Sequence, residues 1–587
     1  MNYRRCSLVL LLCLSVLPII AQPAGEIRPD VPRISGPALL EHVRILSSDE
    51  YEGRSPGTAG EERTVRYIVD QFRKAGLKPA GADGSFLQKV PLVGITPAPG
   101  ALLRFQKDGR EQVLRFKDDF VAWTKRVTEE VRVDRSEVVF AGYGIQAPEF
   151  QWDDFKGTDL KGKTLVVLVG DPPVPDPAAP DRLDPNLFGG KAMTYYGRWT
   201  YKYEQGARLG AAAVLIVHET GPAGYPFAVV QNKVTEQFDL VTADQNRGRA
   251  AIEGWISLEQ ARKLMALAGQ DYDRLKKEAL QRQFQPRSLG VQVSVALRNS
   301  LRTVESHNVA GIREGVDPGR KGEYVIYTSH WDHLGIGPEV GGDRVYHGAV
   351  DNATGIGGLI ELARAFTEGR MEPRRSVLFL AVTAEEQGLL GSEYYAGHPL
   401  FPLARTAAVI NMDGLNVHGK TRDITVTGLG YSDLDDVARQ VASGQGRVLV
   451  PDPTPEKGSY FRSDHFPFAR KGVPALASGG GVDYIGRPPE YGKKITEDYI
   501  ANDYHKPSDR IRPDWDLSGA VEDLQFYFLV GWRVAQSDRL PEWKPGSPFK
   551  AASGRPSGIH SGPPPGTSFR FGYRAPGSFL RSIRSSS

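Results

Sequence analysis

Between residues 59 and 76 apolar side chains recur at helical spacing, with Val65, Ile68, Val69 and Phe72 on one face. That period predicts an amphipathic helix. Short strand candidates follow as far as Trp123. Further on, 137–141 and 164–169 read as strands, and 211–217 reads as a buried apolar run preceded by a helical stretch over 198–209. A proline-rich loop at 172–185 breaks this region, and residues 130–290 are read as a separate α/β module. From Val304 the pattern changes. Nearly continuous apolar runs of strand length lie at 324–328, 377–382 and 407–410. A helix over 357–366 presents Leu359, Ile360, Ala363 and Phe366 on one face, and 517–536 predicts a last helix. Apolar strands alternating with helices predict an α/β fold, with a mostly parallel central sheet flanked by helices on both faces.

The two ends of the chain change this picture. Arg4 and Arg5 precede an apolar stretch over 8–21, shorter than the roughly 20 residues of a spanning helix. This predicts a signal peptide over 1–24 and a secreted or periplasmic protein with no stable membrane anchor; an uncleaved anchor is the alternative. Both cysteines, Cys6 and Cys13, fall inside this leader. Any metal held by the rest of the chain must therefore use histidine and carboxylate. At the other end, 546–587 is rich in Gly, Pro and Ser, with basic Lys550, Arg555, Arg570, Arg574, Arg581 and Arg584 and no acidic residue. Such a composition predicts a disordered tail. The formal net charge of +3 gives no reason to expect a nucleic-acid partner.

Chemistry-bearing residues gather where the predicted strands end. Ser329-His330-Trp331-Asp332-His333 follows the first, Ala384-Glu385-Glu386-Gln387-Gly388 the second and Asn411-Met412-Asp413-Gly414 the third. Gly348-Ala349-Val350-Asp351-Asn352-Ala353-Thr354-Gly355 forms a Gly-rich turn into the 357–366 helix, and Tyr504-His505 stands much later. In open α/β sheets ligands bind beyond the carboxyl ends of the strands, so one site could collect these clusters. A pair of zinc ions needs histidines, carboxylates, one bridging carboxylate and a separate acid to take a proton from water. His330, Asp351, Glu386, Asp413, His505 and the free acid Glu385 form such a set. Each element alone has an ordinary reading: an adjacent Glu-Glu pair often opens a solvated helix, and a histidine after a strand is often structural.

At these motifs the chain resembles the M28 family of zinc peptidases, in the subgroup with a protease-associated (PA) domain insert. His330-Trp331-Asp332-His333-Leu334-Gly335, Asp351-Asn352-Ala353-Thr354-Gly355, the run from Glu385-Glu386 to Gly391-Ser392, Asn411-Met412-Asp413 and Tyr504-His505 carry the resemblance. The upstream run from Ser47 to Arg54 adds to it, as do Gly142-Tyr143-Gly144 and 193–199 of the middle module. The resemblance implies a peptidase domain over 37–129 and 291–540, split by a PA insert over 130–290. It implies two zinc ions per chain, one on Asp351, Glu386 and His505 and the other on Asp351, Asp413 and His330. Glu385 would be the general base. Asp332 would hydrogen-bond the His330 ring, Asp509 is a candidate for the same part beside His505, and His465 is a candidate for steadying the oxyanion. The Asp351–Asn352 peptide bond would be cis. Many relatives have Asp-Asp where this chain has Val350-Asp351, which puts local hydrogen bonding in question.

The implied reaction is hydrolysis of peptide or protein substrates at chain ends, with aminopeptidase action favoured. Asn352 after the bridging Asp is the aminopeptidase-like choice. Arg462 could grip a terminal carboxylate and so keeps a carboxypeptidase reading open. A non-catalytic, receptor-like protein on the same scaffold is the remaining alternative. Neither the oligomeric state nor the preferred side chain is legible.

Overall fold

The three apolar runs of the C-terminal half fold as strands Tyr324–His330, Ser376–Val382 and Thr406–Asn411, and the first pairs in parallel with both others. Thr406–Asn411 then pairs in parallel with Ala475–Gly480. The strand Asp423–Thr427 follows antiparallel, with Val448–Pro451 beside it. On the other side Ser376–Val382 meets the end of a 27-residue strand, Arg287–Arg313, in antiparallel pairing. Leu87–Pro97 lies beyond it. The result is a mixed sheet whose central strands are parallel, as the sequence predicts.

This chain is a computed structural model that describes residues 32–550 apart from 233–234 and 369–371. The leader expected over 1–24 and the tail residues 551–587 lie outside the described residues. Among the described residues no helix is long and apolar enough to cross a membrane.

Successive strand residues point to opposite faces, so a strand buried on both faces feeds two cores. Val325, Tyr327, Val377 and Phe379 join the core beneath helices Gly36–Leu46, Ala59–Lys74, Gly355–Thr367 and Ser518–Gln536. Ile326, Leu378, Leu380 and Val409 join the core of the opposite face with Tyr395 and Phe468. The Ala59–Lys74 helix starts at Thr58, whose hydroxyl accepts from the Glu61 N–H, and it buries Val65, Ile68 and Phe72. Helix Gly36–Leu46 is capped likewise by Ser35.

A second sheet holds the middle of the chain. In spatial order its strands are Arg110–Arg115, Leu102–Lys107, the N-terminal part of Arg287–Arg313, Glu130–Phe140, Thr164–Leu168, Ala213–His218, Ile252–Ser257 and Phe120–Trp123. It thus takes in strands that precede residue 130. The 198–209 helix is present as Trp199–Arg208. This module reaches the first at several points. Gln237–Leu240 adds to the edge of Leu87–Pro97. Tyr195 packs against Phe461 and Phe466, with ring centroids 5.8 and 4.8 Å apart. The Met193 N–H donates to the Pro455 carbonyl at 3.0 Å.

Candidate metal centre

Three strand ends and one turn converge on a single carboxylate. Asp351 Oδ1 lies 3.3 Å from His330 Nε2, and its Oδ2 lies 3.3 Å from His505 Nε2. His330 Nε2 is also 3.2 Å from Asp413 Oδ1, and His505 Nε2 is 3.0 Å from Glu386 Oε2. Asp351 therefore faces two separate donor groups, one through each oxygen. All five residues assigned from the sequence as metal ligands come together, with Glu385 beside them.

The chain positions these side chains by backbone contacts that the residue types dictate. His330 is the last residue of its strand, and its Nδ1–H donates to the Asp332 carbonyl at 3.1 Å. The Asp332 carboxylate was expected to hold that ring; it lies 3.7 Å from Nδ1 and instead accepts the Glu385 and Glu386 N–H groups at 3.0 and 3.3 Å. Asp332 thus ties the His330 loop to the loop that carries Glu385 and Glu386. Burial raises its carboxyl to about 7. Asp351 follows a left-handed turn at Gly348, where a Cβ would come within 2.2 Å of the Asp351 carbonyl and 2.6 Å of the His333 ring. Only glycine suits that turn. The Asp351–Asn352 bond is cis, as expected. Asn352 donates to Ser329 Oγ (3.0 Å) and the Met412 carbonyl (3.1 Å) and accepts from the Gly355 and Gly414 N–H groups. One amide side chain so fastens the turn to two strand ends.

Asp509 does not serve His505 as expected. Its carboxylate accepts the Val350 and Asp351 N–H groups at 3.0 and 3.1 Å. The local hydrogen bonding left in question by Val350 is met in this way. His465 is fully buried against Tyr460, ring centroids 4.5 Å apart, with no hydrogen bond at either nitrogen; burial lowers it to about 4.

Three residues that sequence reasoning left without a role also act here. The buried Arg54 guanidinium donates to the carbonyls of Trp331 (2.9 Å), Leu46 (2.7 Å), His347 (2.7 Å) and Gly348 (2.9 Å). It joins the His330 loop to the turn that bears Asp351. The Ser47–Arg54 motif was visible, but nothing in its spacing reveals that reach. Ser463 Oγ donates to Asp413 Oδ2 and accepts from Asn411 Nδ2, both at 2.6 Å. His333, quoted within its motif, lies with Nδ1 2.8 Å from Glu386 Oε1.

The electrostatics call for cations. Burial pushes Asp351 up, but contacts with His330 and His505 outweigh it and hold the carboxyl well below its usual range. Burial pulls His505 down, yet Glu386 and Asp351 lift it to about 9. Burial raises Glu385 well above its usual value, assisted by Asp413 and Glu386 and opposed by His330. A carboxylate-rich pocket that protonates its own histidines is one in which metal ions would displace protons. The donors are histidine nitrogen and carboxylate oxygen, the set that zinc accepts. Several are buried without hydrogen-bond partners: Glu386 Oε1, His505 Nε2 and both ring nitrogens of His333. These residues fit a metal pair by donor type, by spacing and by unsatisfied atoms.

Residues 308–529 match the family model described as Peptidase family M28. The proteins named Aminopeptidase NAALADL1 from Mus musculus and Rattus norvegicus are each 38% identical over 130 residues, which is 21% of this chain and 16% of theirs. Leupeptin-inactivating enzyme 1 of Streptomyces exfoliatus is 28% identical over 188 residues, covering 32% of this chain and 39% of that protein. The chain thus spans well under half the length of these relatives. Among solved structures, an aminopeptidase from Aneurinibacillus sp. strain AM-1 is 19% identical, with a TM-score of 0.49 over 86% of this chain and 96% of that one. The matched region contains every candidate metal ligand described above.

Proposed function

We propose that the chain is a secreted di-zinc metallopeptidase that releases residues from peptide ends, acting as an aminopeptidase, with the middle module as an inserted PA domain. One observation carries this reading: two donor groups, His330 with Asp413 and His505 with Glu386, face opposite oxygens of Asp351. Zinc bound there supplies Lewis acidity, which polarises a carbonyl and makes water more acidic. The chain's own residues do the rest. Asp351 spans both positions. Asp332 fixes the Glu385 backbone, so that its carboxylate stays beside the paired positions. Glu385 takes a proton from water and returns it to the leaving amine, the part of a general base. Its raised proton affinity suits a group that must both accept and give back a proton. All six positions are filled, which argues against a non-catalytic scaffold.

The free ammonium of a peptide would meet a field of carboxylates here, which favours N-terminal release. A carboxypeptidase reading has one observation in its favour: Arg462 lies beside Tyr504, next to His505, with Nη2 3.4 Å from the Tyr504 hydroxyl. A matched pair of peptides separates the two, one acetylated at its N-terminus and one amidated at its C-terminus. Aminopeptidase action spares the acetylated peptide and shortens the amidated one. The reverse result assigns a carboxypeptidase.

A further inference from the structure

The expected ligand set gives each metal position one imidazole, yet a third imidazole lies at the site. His333 is buried, and its Nδ1 is 2.8 Å from Glu386 Oε1. One donor atom each from His333, Asp351 and Glu386 lie within 4.8 Å of one another, a grouping separate from that of His330, Asp351 and Asp413. The short contact has two readings. Nδ1–H could donate to Glu386, making His333 a positioning residue. That needs the N–H aimed at the oxygen, and neither ring nitrogen makes a hydrogen bond. Two donors about 3 Å apart that do not point at each other instead suit a common third point. Donors about 2.0–2.2 Å from one zinc ion stand at such separations. Across the same Glu386, the His505 ring stands 5.7 Å from the His333 ring at 75°.

The geometry points to His333 Nδ1 as an additional protein ligand of the metal ion that Asp351, Glu386 and His505 hold; this inference rests on the metallopeptidase reading. That position would then have two imidazoles and two carboxylates to draw on. The position of His330, Asp413 and Asp351 has one imidazole and two carboxylates. The backbone supports the placement, because Gly348 leaves room for the His333 ring and the Arg54 carbonyl accepts the His333 N–H.

X-ray absorption on the wild-type protein loaded with zinc tests this without a variant. Three histidines shared by two ions give about one and a half imidazoles per zinc, and two give about one. Chelator competition on His333→Ala and His333→Gln gives the second readout. We expect one of the two zinc affinities to fall at least tenfold and the absorption spectrum of the cobalt-substituted protein to change. Apo melting curves of the variants check that they fold. A count of one imidazole per zinc, or two unchanged affinities in folded variants, overturns the inference and leaves the peptidase reading standing. Wild-type protein that binds no zinc overturns both.

Discussion

Arg54 offers a sharp test of how the site is held. Its guanidinium makes four hydrogen bonds to buried carbonyls on three segments: the end of helix Gly36–Leu46, the His330 loop and the turn before Asp351. Burial lowers it to about 10, while Asp351, Asp509, Asp332 and Glu386 favour its charge, so it is cationic at pH 7. In Arg54→Met four carbonyls lose partners. Each loss costs about 1–3 kcal/mol when the group stays buried. Relief of the buried charge offsets part of this, because burial disfavours the charged guanidinium. The net expectation is about 3–5 kcal/mol of destabilisation, the range for breaking a buried charged network. Arg54→Lys should fall between, because a single ammonium cannot reach carbonyls spread around a planar fork. The assay pairs urea unfolding at fixed pH with zinc affinity by chelator competition. Both should fall, because the turn bearing Asp351 loses its anchor. A Met variant within about 1 kcal/mol of wild type, with zinc affinity unchanged, would refute the reasoning.

Glu385→Gln should keep both metal ions and lose roughly 10²–10⁴ in rate, whereas Glu386→Gln should weaken one ion; equal metal loss in both would mean their roles are misassigned. Because the Glu385 proton affinity is raised, its base form disappears as pH falls through a value above the ordinary carboxylate range. The acid limb of kcat/KM should therefore lie above about 4.3, and a limb at or below that value counts against Glu385. Asp509→Ala should loosen the Asp351 turn and lower metal affinity; retention of wild-type affinity would show that the two backbone hydrogen bonds are dispensable. Glu361 is held at about 2 against an ordinary 4.5: burial alone would raise it, but His42, Arg364 and the Ser35 N–H outweigh that. A depressed carboxyl stabilises fully above about 4.5, and the contribution is lost as pH falls toward 2, so Glu361→Gln should cost up to roughly 3 kcal/mol at pH 7 and less as pH falls below 4.5; a pH-independent difference in urea melts would contradict this.

The strands that carry the site were legible because they are buried on both faces and read as unbroken apolar runs. The five metal-facing residues were legible because four follow those runs directly or lie in a glycine-rich turn. What escaped depends on contacts far apart in sequence. Arg54 reaches carbonyls 277 to 294 residues away, which no local pattern encodes. Asp509 was expected to serve the neighbouring His505, but its partners are backbone amides 158 and 159 residues off. Strand Ala475–Gly480 carries two glycines and a serine, which hid it among loop signals. The start of the second sheet escaped because Leu102–Lys107 and Phe120–Trp123 look like any short strands; only pairing with Arg287–Arg313 and Ile252–Ser257 assigns them.

That long strand also explains how an α/β module can interrupt the sheet that carries the candidate site. The chain leaves the first sheet at the end of Leu87–Pro97 and returns along Arg287–Arg313, and the two are hydrogen-bonded neighbours, from Asn299↔Pro97 to Val309↔Leu87. The ends of the insertion are thus held together by a β-ribbon of the first sheet itself, so the ordering of the module adds no loop to be closed across the site. Every candidate metal ligand lies after this ribbon, in a part of the chain that the module does not interrupt. Contact with the site comes instead from the side: Tyr195 packs on Phe461 and Phe466, which flank Ser463, and Ser463 holds Asp413. The module therefore bears on the residues that hold Asp413.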